Sequence, residues 1–187
     1  RIFDALNDVR NIRQAVDSTK KYGGTAEVAL CYTTSPVHNI DYFVDLAKKL
    51  EEMGADIICI KDMANLLLPY DAYSLVKKLK ENIDVPIHLH THNTTGTGDM
   101  TNLMAATAGV DIVDCALSPL ANGTSQPATE ALVATLKGTE KVSLECFASS
   151  KRVVYRTSKE AIFFQEFIIC GEDKCTYTPK IQKEYAQ

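Results

Sequence analysis

The 187-residue chain is 45% hydrophobic and 24% charged, the balance of an ordinary globular protein with apolar material for one substantial core. Its formal net charge of −4 offers no basic field to nucleic acid or to an anionic lipid surface. No apolar run approaches membrane-spanning length and no leader peptide opens the chain, so a cytoplasmic protein without membrane insertion is expected.

The chain opens without Met, at Arg1-Ile2-Phe3-Asp4, and reads as a piece of a longer polypeptide. Residues 2–4 already look like a strand. A helical pattern over 9–22 stops at Gly23-Gly24. An apolar run over 26–32 reads as a strand. It is followed by an amphipathic stretch over 40–53 that sets Phe43, Leu46, Ala47 and Leu50 on one face and ends at Gly54. Strand 57–61 precedes helix 70–82, which follows Pro69, a good first-turn residue. Strand 86–89, helix 100–108 ending at Gly109, strand 112–115 and helix 129–137 ending at Gly138 complete the series. The strands are rich in Ile, Val and Leu with little polar alternation, as in a parallel sheet buried on both faces.

This alternation predicts an α/β chain: a partial TIM (β/α)8 barrel holding about the last five of its eight strand–helix units. No Gly-x-Gly-x-x-Gly turn follows a strand, so a dinucleotide site in an open doubly wound sheet has no support. Residues 1–140 carry the barrel pattern. Residues 141–187 show no strand–helix period and form an unassigned C-terminal tail, in which 161–169 is apolar enough to pack and is a candidate helix. The six cysteines (31, 59, 115, 146, 170 and 175) form no Cys-x-x-Cys pair and read as buried thiols of a reducing compartment.

Each strand end offers polar groups to one face. Asp4, Asn7 and Asp8 follow the first strand, and Tyr32, Thr33 and Thr34 the second. Lys61 and Asp62 end the third, and His88, His90, His92 and Asn93 belong to the fourth. Ser118, Asn122, Thr124, Ser125 and Gln126 follow the last. Convergence of this kind makes a catalytic mouth. His90 and His92 alternate along an extended strand end, so their imidazoles can share a cation; such ligands suit Zn, Mn or Co. His88 lies deeper and reads as a hydrogen-bonded core histidine. Lys61 follows the apolar run 57–60. As a neutral amine it can attack a carbonyl or take up CO2 as a carbamate, an oxygen ligand for a metal. The bland alternative is a lysine paired with Asp62 or Asp4. Asp62 is a candidate ligand or an acceptor that orients one.

Four motifs occur in order: Arg1-Ile2-Phe3-Asp4-Ala5-Leu6-Asn7-Asp8, Ile60-Lys61-Asp62-Met63-Ala64, His88-Leu89-His90-Thr91-His92 and Gly123-Thr124-Ser125-Gln126-Pro127. Together they resemble the carboxyltransferase barrel of biotin-dependent enzymes, a family that includes the oxaloacetate decarboxylase alpha subunit and the central domain of pyruvate carboxylase. The resemblance implies carboxyl transfer between oxaloacetate/pyruvate and biotin, with the biotin delivered by a separate carboxyl carrier domain or subunit. It implies a divalent metal held by Lys61, as a carbamate, and by His90 and His92. Lys61 and Asp62 are then the catalytic candidates, and Asp4, Asn7, Asn93 and Thr124 the candidates for touching substrate. A homo-oligomer is expected.

The chain departs from the family at Asn93, where Asp is common, and at Asn65, where Gly is common. The family's Arg-Asp first-strand motif, its downstream active-site threonine and a biotin-acceptor Met-Lys-Met have no counterpart. The isolated chain is therefore expected to be inactive. The alternatives are a related metal-dependent acyl-condensing or lyase barrel, similar to HMG-CoA lyase, and a catalytically dead fragment.

Overall fold

The computed structural model describes residues 1–137, 139 and 165–168. Elements follow one another as α1 (Val9–Lys21), β1 (Glu27–Cys31), α2 (Ile40–Glu52), β2 (Ile57–Asp62), α3 (Pro69–Lys80), β3 (Ile87–Thr91), α4 (Gly98–Ala108), β4 (Ile112–Cys115), α5 (Thr129–Leu136) and β5 (Gln165–Ile168). A 3-10 turn, Ser118–Leu120, lies between β4 and α5. The sheet order is β1-β2-β3-β4-β5; the first four strands are parallel and β5 pairs antiparallel with β4. No helix among the described residues is long and apolar enough to cross a membrane.

A parallel sheet alternating with helices is consistent with a partial (β/α) barrel, with four of the eight strand–helix units in place. The expected fifth unit shrinks at its start. Residues 2–4 form no strand, only a single parallel bridge from Ile2 to Val28, because the chain turns at Asp4, whose side chain accepts the backbone N–H groups of Leu6 and Asp8. The helix expected over 161–169 is replaced, over Gln165–Ile168, by β5. The remainder of 141–187 lies outside the described residues, as do Cys146, Cys170 and Cys175, while Cys31, Cys59 and Cys115 are free and buried.

Register divides each strand into two faces. Val28 and Leu30, Ile58 and Ile60, Ile87 and Leu89, and Val113 point toward the helices and are buried. They meet Phe43, Leu50, Leu75 and Leu79 of α2 and α3 in the core. Full burial of each such side chain contributes about 1.5–3 kcal/mol. The opposite face carries Glu27, Cys59, Lys61, His88, His90 and Asp114. The strands are thus not apolar on both sides, as their composition suggested.

Local chemistry fixes the ends. Asp8 caps α1 by accepting the Arg10 N–H, and Asn39 caps α2 through the Tyr42 N–H. Gly109 closes α4 at φ 101°, a conformation that a side chain resists. Gly98 is needed for space: a Cβ there would lie 2.9 Å from the His92 carbonyl oxygen, the Asn93 side chain and the Pro127 ring. That close approach packs α4 directly beneath the histidine strand end.

Candidate functional site

Lys61 and His90 are register partners on β2 and β3, and Cys59 and His88 are partners one step below. Parallel neighbours in register point the same way, so Lys61 stands on the same face as the histidines. A cavity of about 490 Å³ runs along this face, lined by Arg1, Glu27, Lys61, His90, His92, Asp114 and Gln126. The Lys61 ammonium lies 4.8 Å from the centroid of the Phe3 ring, a cation–π contact. The rings of His90 and His92 meet edge to face, centroids 5.2 Å apart.

Both imidazoles are held through Nδ1. His90 Nδ1 lies 2.5 Å from Asp114 Oδ2, to which it donates because a carboxylate only accepts, with Arg1 Nη1 farther off at 3.3 Å; His92 Nδ1 donates to the Thr124 carbonyl at 2.6 Å. Neither Nε2 makes a hydrogen bond among the described residues. Two imidazoles with bare Nε2 atoms beside a lysine on one cavity wall fit a borderline divalent cation.

Beneath them is a buried charge network. Arg1 donates through Nε to Glu27 and through Nη1 to Asp114, both at 2.8 Å. His88, 1% exposed, places Nε2 at 2.9 Å from Asp114 Oδ1 and Nδ1 at 2.9 Å from Glu27 Oε1. Burial alone would favour the neutral imidazole, but the hydrogen bonds to Asp114 and Glu27 prevail and push the His88 pKa up to about 9. Burial likewise opposes ionisation of Asp114. The hydrogen bonds from His88 and His90 and the nearby cations overcome it and hold this carboxyl well below the usual range. Glu27 follows the same pattern: its burial is outweighed by His88 and Arg1, and its pKa falls to about 2. His90 goes the other way, because burial lowers its pKa more than Asp114 raises it.

Glu27, Cys59 and His88 bring three potential metal-ligating atoms within 4.8 Å of one another. A divalent ion there would meet competition. Both His88 nitrogens are engaged by carboxylates, the Arg1 guanidinium occupies Glu27, and burial pushes the Cys59 thiol far from its thiolate form.

Several expected site residues sit elsewhere. Asp62, fully buried, points to the helix side of β2 and accepts the backbone N–H groups of Leu66 and Leu67 and the Thr91 hydroxyl. It shapes the loop after Lys61 and does not reach the cavity. Asp4 is spent on Leu6, Asp8 and Asn11. Asn7, at φ 60°, pairs with the backbone of Cys31 through both ends of its amide. Asn93 ties Gly98, Asp99 and Asn122 together. Thr124 contributes its carbonyl to His92. Asn65 tolerates φ 55° where the related pattern has Gly, and its side chain gathers Thr95 and Thr97.

Arg1, Glu27 and Asp114 line the cavity and were missed by sequence reasoning. They lie in or beside strand-like runs other than the histidine strand, and only the register between strands brings them to the histidines.

The family profile for HMGL-like proteins matches residues 4–154. Among curated relatives, a pyruvate carboxylase subunit of Methanocaldococcus jannaschii is 61% identical over 140 residues, covering 75% of this chain and 25% of the relative. The methylmalonyl-CoA carboxyltransferase 5S subunit of Propionibacterium freudenreichii is 44% identical over 141 residues, covering 74% of this chain and 28% of its own length. The carboxyl transferase domain of Rhizobium etli pyruvate carboxylase, solved with pyruvate and biocytin, superposes with a TM-score of 0.73 at 43% identity, over 74% of this chain and 24% of that one. The chain thus spans about a quarter of the length of these three. On sequence and fold together, it belongs to the HMGL-like, pyruvate-carboxylase carboxyltransferase-domain family.

Proposed function

We propose that the chain forms the metal-binding wall of a carboxyltransferase that moves a carboxyl group between biotin and the oxaloacetate/pyruvate pair. An oxaloacetate decarboxylase and a pyruvate carboxylase would both use such a wall. The observation that carries the reading is the cavity that Lys61, His90 and His92 share, with both Nε2 atoms uncommitted. In this reading His90 and His92 hold a divalent Zn, Mn or Co ion through Nε2, and Lys61 holds it as a carbamate. The ion, when bound, supplies a Lewis acid for the keto oxygen of the substrate. The Arg1 guanidinium, held by Glu27 and Asp114, balances their charge on the same wall. The buried Gln126 amide adds polar contacts at the rim.

The Glu27, Cys59 and His88 trio is the weaker metal site, because its donors are already committed. The reading carries with it a biotin carboxyl carrier domain as partner and a homo-oligomeric cytoplasmic enzyme. Residues 1–140 form its barrel portion and 141–187 a divergent tail. The relatives' names and sequences support the carrier-domain partner and the oligomeric assembly. Four strands are half of a closed barrel, so turnover is expected only where the remaining strands complete the cavity.

Equilibrium dialysis of the chain against Zn, Mn and Co tests this. One equivalent should bind, with occupancy rising as bicarbonate is added. Lys61→Ala, His90→Ala and His92→Ala should each weaken binding by at least ~10-fold, and Lys61→Ala should abolish the bicarbonate dependence. Full occupancy retained in all three variants refutes the assignment.

A further inference from the structure

We propose that Asp114 is the positioning residue of the metal centre: its carboxylate fixes the Nδ1–H tautomer and ring orientation of His90, so that Nε2 faces the cation. The inference rests on the reading of His90 as a ligand. Asp114 follows Val113 on β4 as His90 follows Leu89 on β3, and Leu89 and Val113 are register partners. The two side chains therefore stand side by side on the cavity face.

Asp114 Oδ2 lies 2.5 Å from His90 Nδ1 and Oδ1 lies 2.9 Å from His88 Nε2. An ionised carboxylate has no hydrogen to give, so a ring nitrogen at such a distance must carry one. With Nδ1 protonated, the lone pair of a neutral His90 is left at Nε2. Arg1 Nη1 holds Oδ2 from a third side at 2.8 Å, so the carboxylate cannot swing away. Asp114 is 3% exposed, which leaves little room for water to take over as acceptor. His92 reaches the same tautomer by a different device, the neutral Thr124 carbonyl. A charged acceptor strengthens the donor power of an imidazole more than a neutral one. Asp114 thus gives His90 a charged acceptor where His92 has a neutral one.

A merely structural Asp114 would serve only as counter-charge to Arg1 and His88, and the ring nitrogens of His90 tell the two roles apart. Long-range ¹H–¹⁵N correlation spectra of the chain should show His90 with Nδ1–H and a bare Nε2, and zinc should shift Nε2 alone. Asp114→Asn should weaken zinc binding about 10- to 100-fold and alter the visible spectrum of bound cobalt, with partial recovery in Asp114→Glu. Zinc uptake with a bare Nδ1 on His90, or with zinc on Nδ1, overturns this inference alone. So does an Asp114→Asn variant with unchanged zinc affinity and cobalt spectrum. Should that variant fail to fold, the ring-nitrogen spectra of the unaltered chain decide. No zinc uptake by the unaltered chain overturns the metal reading, and this inference with it.

Discussion

Lys61 and Asp62 are adjacent in sequence and face opposite sides of the sheet, so one lines the cavity and the other serves the loop. The same alternation gathers His88, His90 and Asp114 into one network, with a consequence for stability. An unfolded histidine titrates near ~6.5, and His88 in the fold titrates at about 9. The protonated form is the one the fold favours. Its contribution is therefore complete below about pH 6.5 and is lost as pH rises through about 9. Each unit is about 1.4 kcal/mol, so urea unfolding should show stability falling by on the order of 2 kcal/mol between pH 6.5 and 8.5. Above that range the buried Cys59 and Cys115 thiols, held protonated, add a loss of the same sign. In His88→Gln the slope between pH 6.5 and 8.5 should flatten. A flat profile in the unaltered chain would show that His88 is not held as a cation. At this scale the placing of Lys61, His90 and His92 on one cavity wall was legible, because the strand end and its spacing announce it. Glu27 and Asp114 were not, since a lone acid inside an apolar run gains its meaning only from residues on other strands.

Two strand entries repeat a sequence and a device. Gly54-Ala55-Asp56-Ile57 leads into β2, and Gly109-Val110-Asp111-Ile112 into β4. Asp56 accepts the Ala26 N–H at 2.7 Å, at the entrance to β1, and binds Lys20 near the end of α1. Asp111 accepts the Ile87 N–H at 2.8 Å, at the start of β3, and binds Lys80 at the end of α3. Each aspartate clamps the preceding strand and helix at the end of the sheet opposite Lys61. Loss of a charge-assisted bond to a backbone N–H costs about 1.5–3 kcal/mol, whereas the half-exposed ion pairs are worth about 1 kcal/mol or less. Asp56→Ala and Asp111→Ala should therefore each cost about 2 kcal/mol in urea unfolding. Lys20→Ala and Lys80→Ala should cost less than half as much. The two aspartate effects should add, because the clamps share no partner; strong non-additivity would mean that they do not act as separate staples. All five helices among the described residues and four of the five expected strands were readable from periodicity and glycine stops, with ends shifted by one or two residues. The failures have physical causes. Residues 2–4 lost strand character to a local aspartate turn, and nothing in the apolar stretch 161–169 marks an antiparallel partner for β4.

For the molecule as a whole, the parallel strands put a polar face on one side and a helix-packed core on the other, the arrangement of a barrel interior. Phe3, Leu6, Met63 and Leu66 remain exposed. The family was legible because four motifs lie in fixed order. The choice between two candidate metal positions was not, since both draw on residues of neighbouring strands: Lys61 with His90 and His92, or Glu27 with Cys59 and His88. Anomalous diffraction at the zinc edge, from crystals of the chain grown with zinc and bicarbonate, separates them. The account predicts one strong peak about 2.0–2.1 Å from Nε2 of both His90 and His92, with density extending from Lys61 to it. A peak seated among Glu27, Cys59 and His88, with His90 and His92 unliganded, would contradict it.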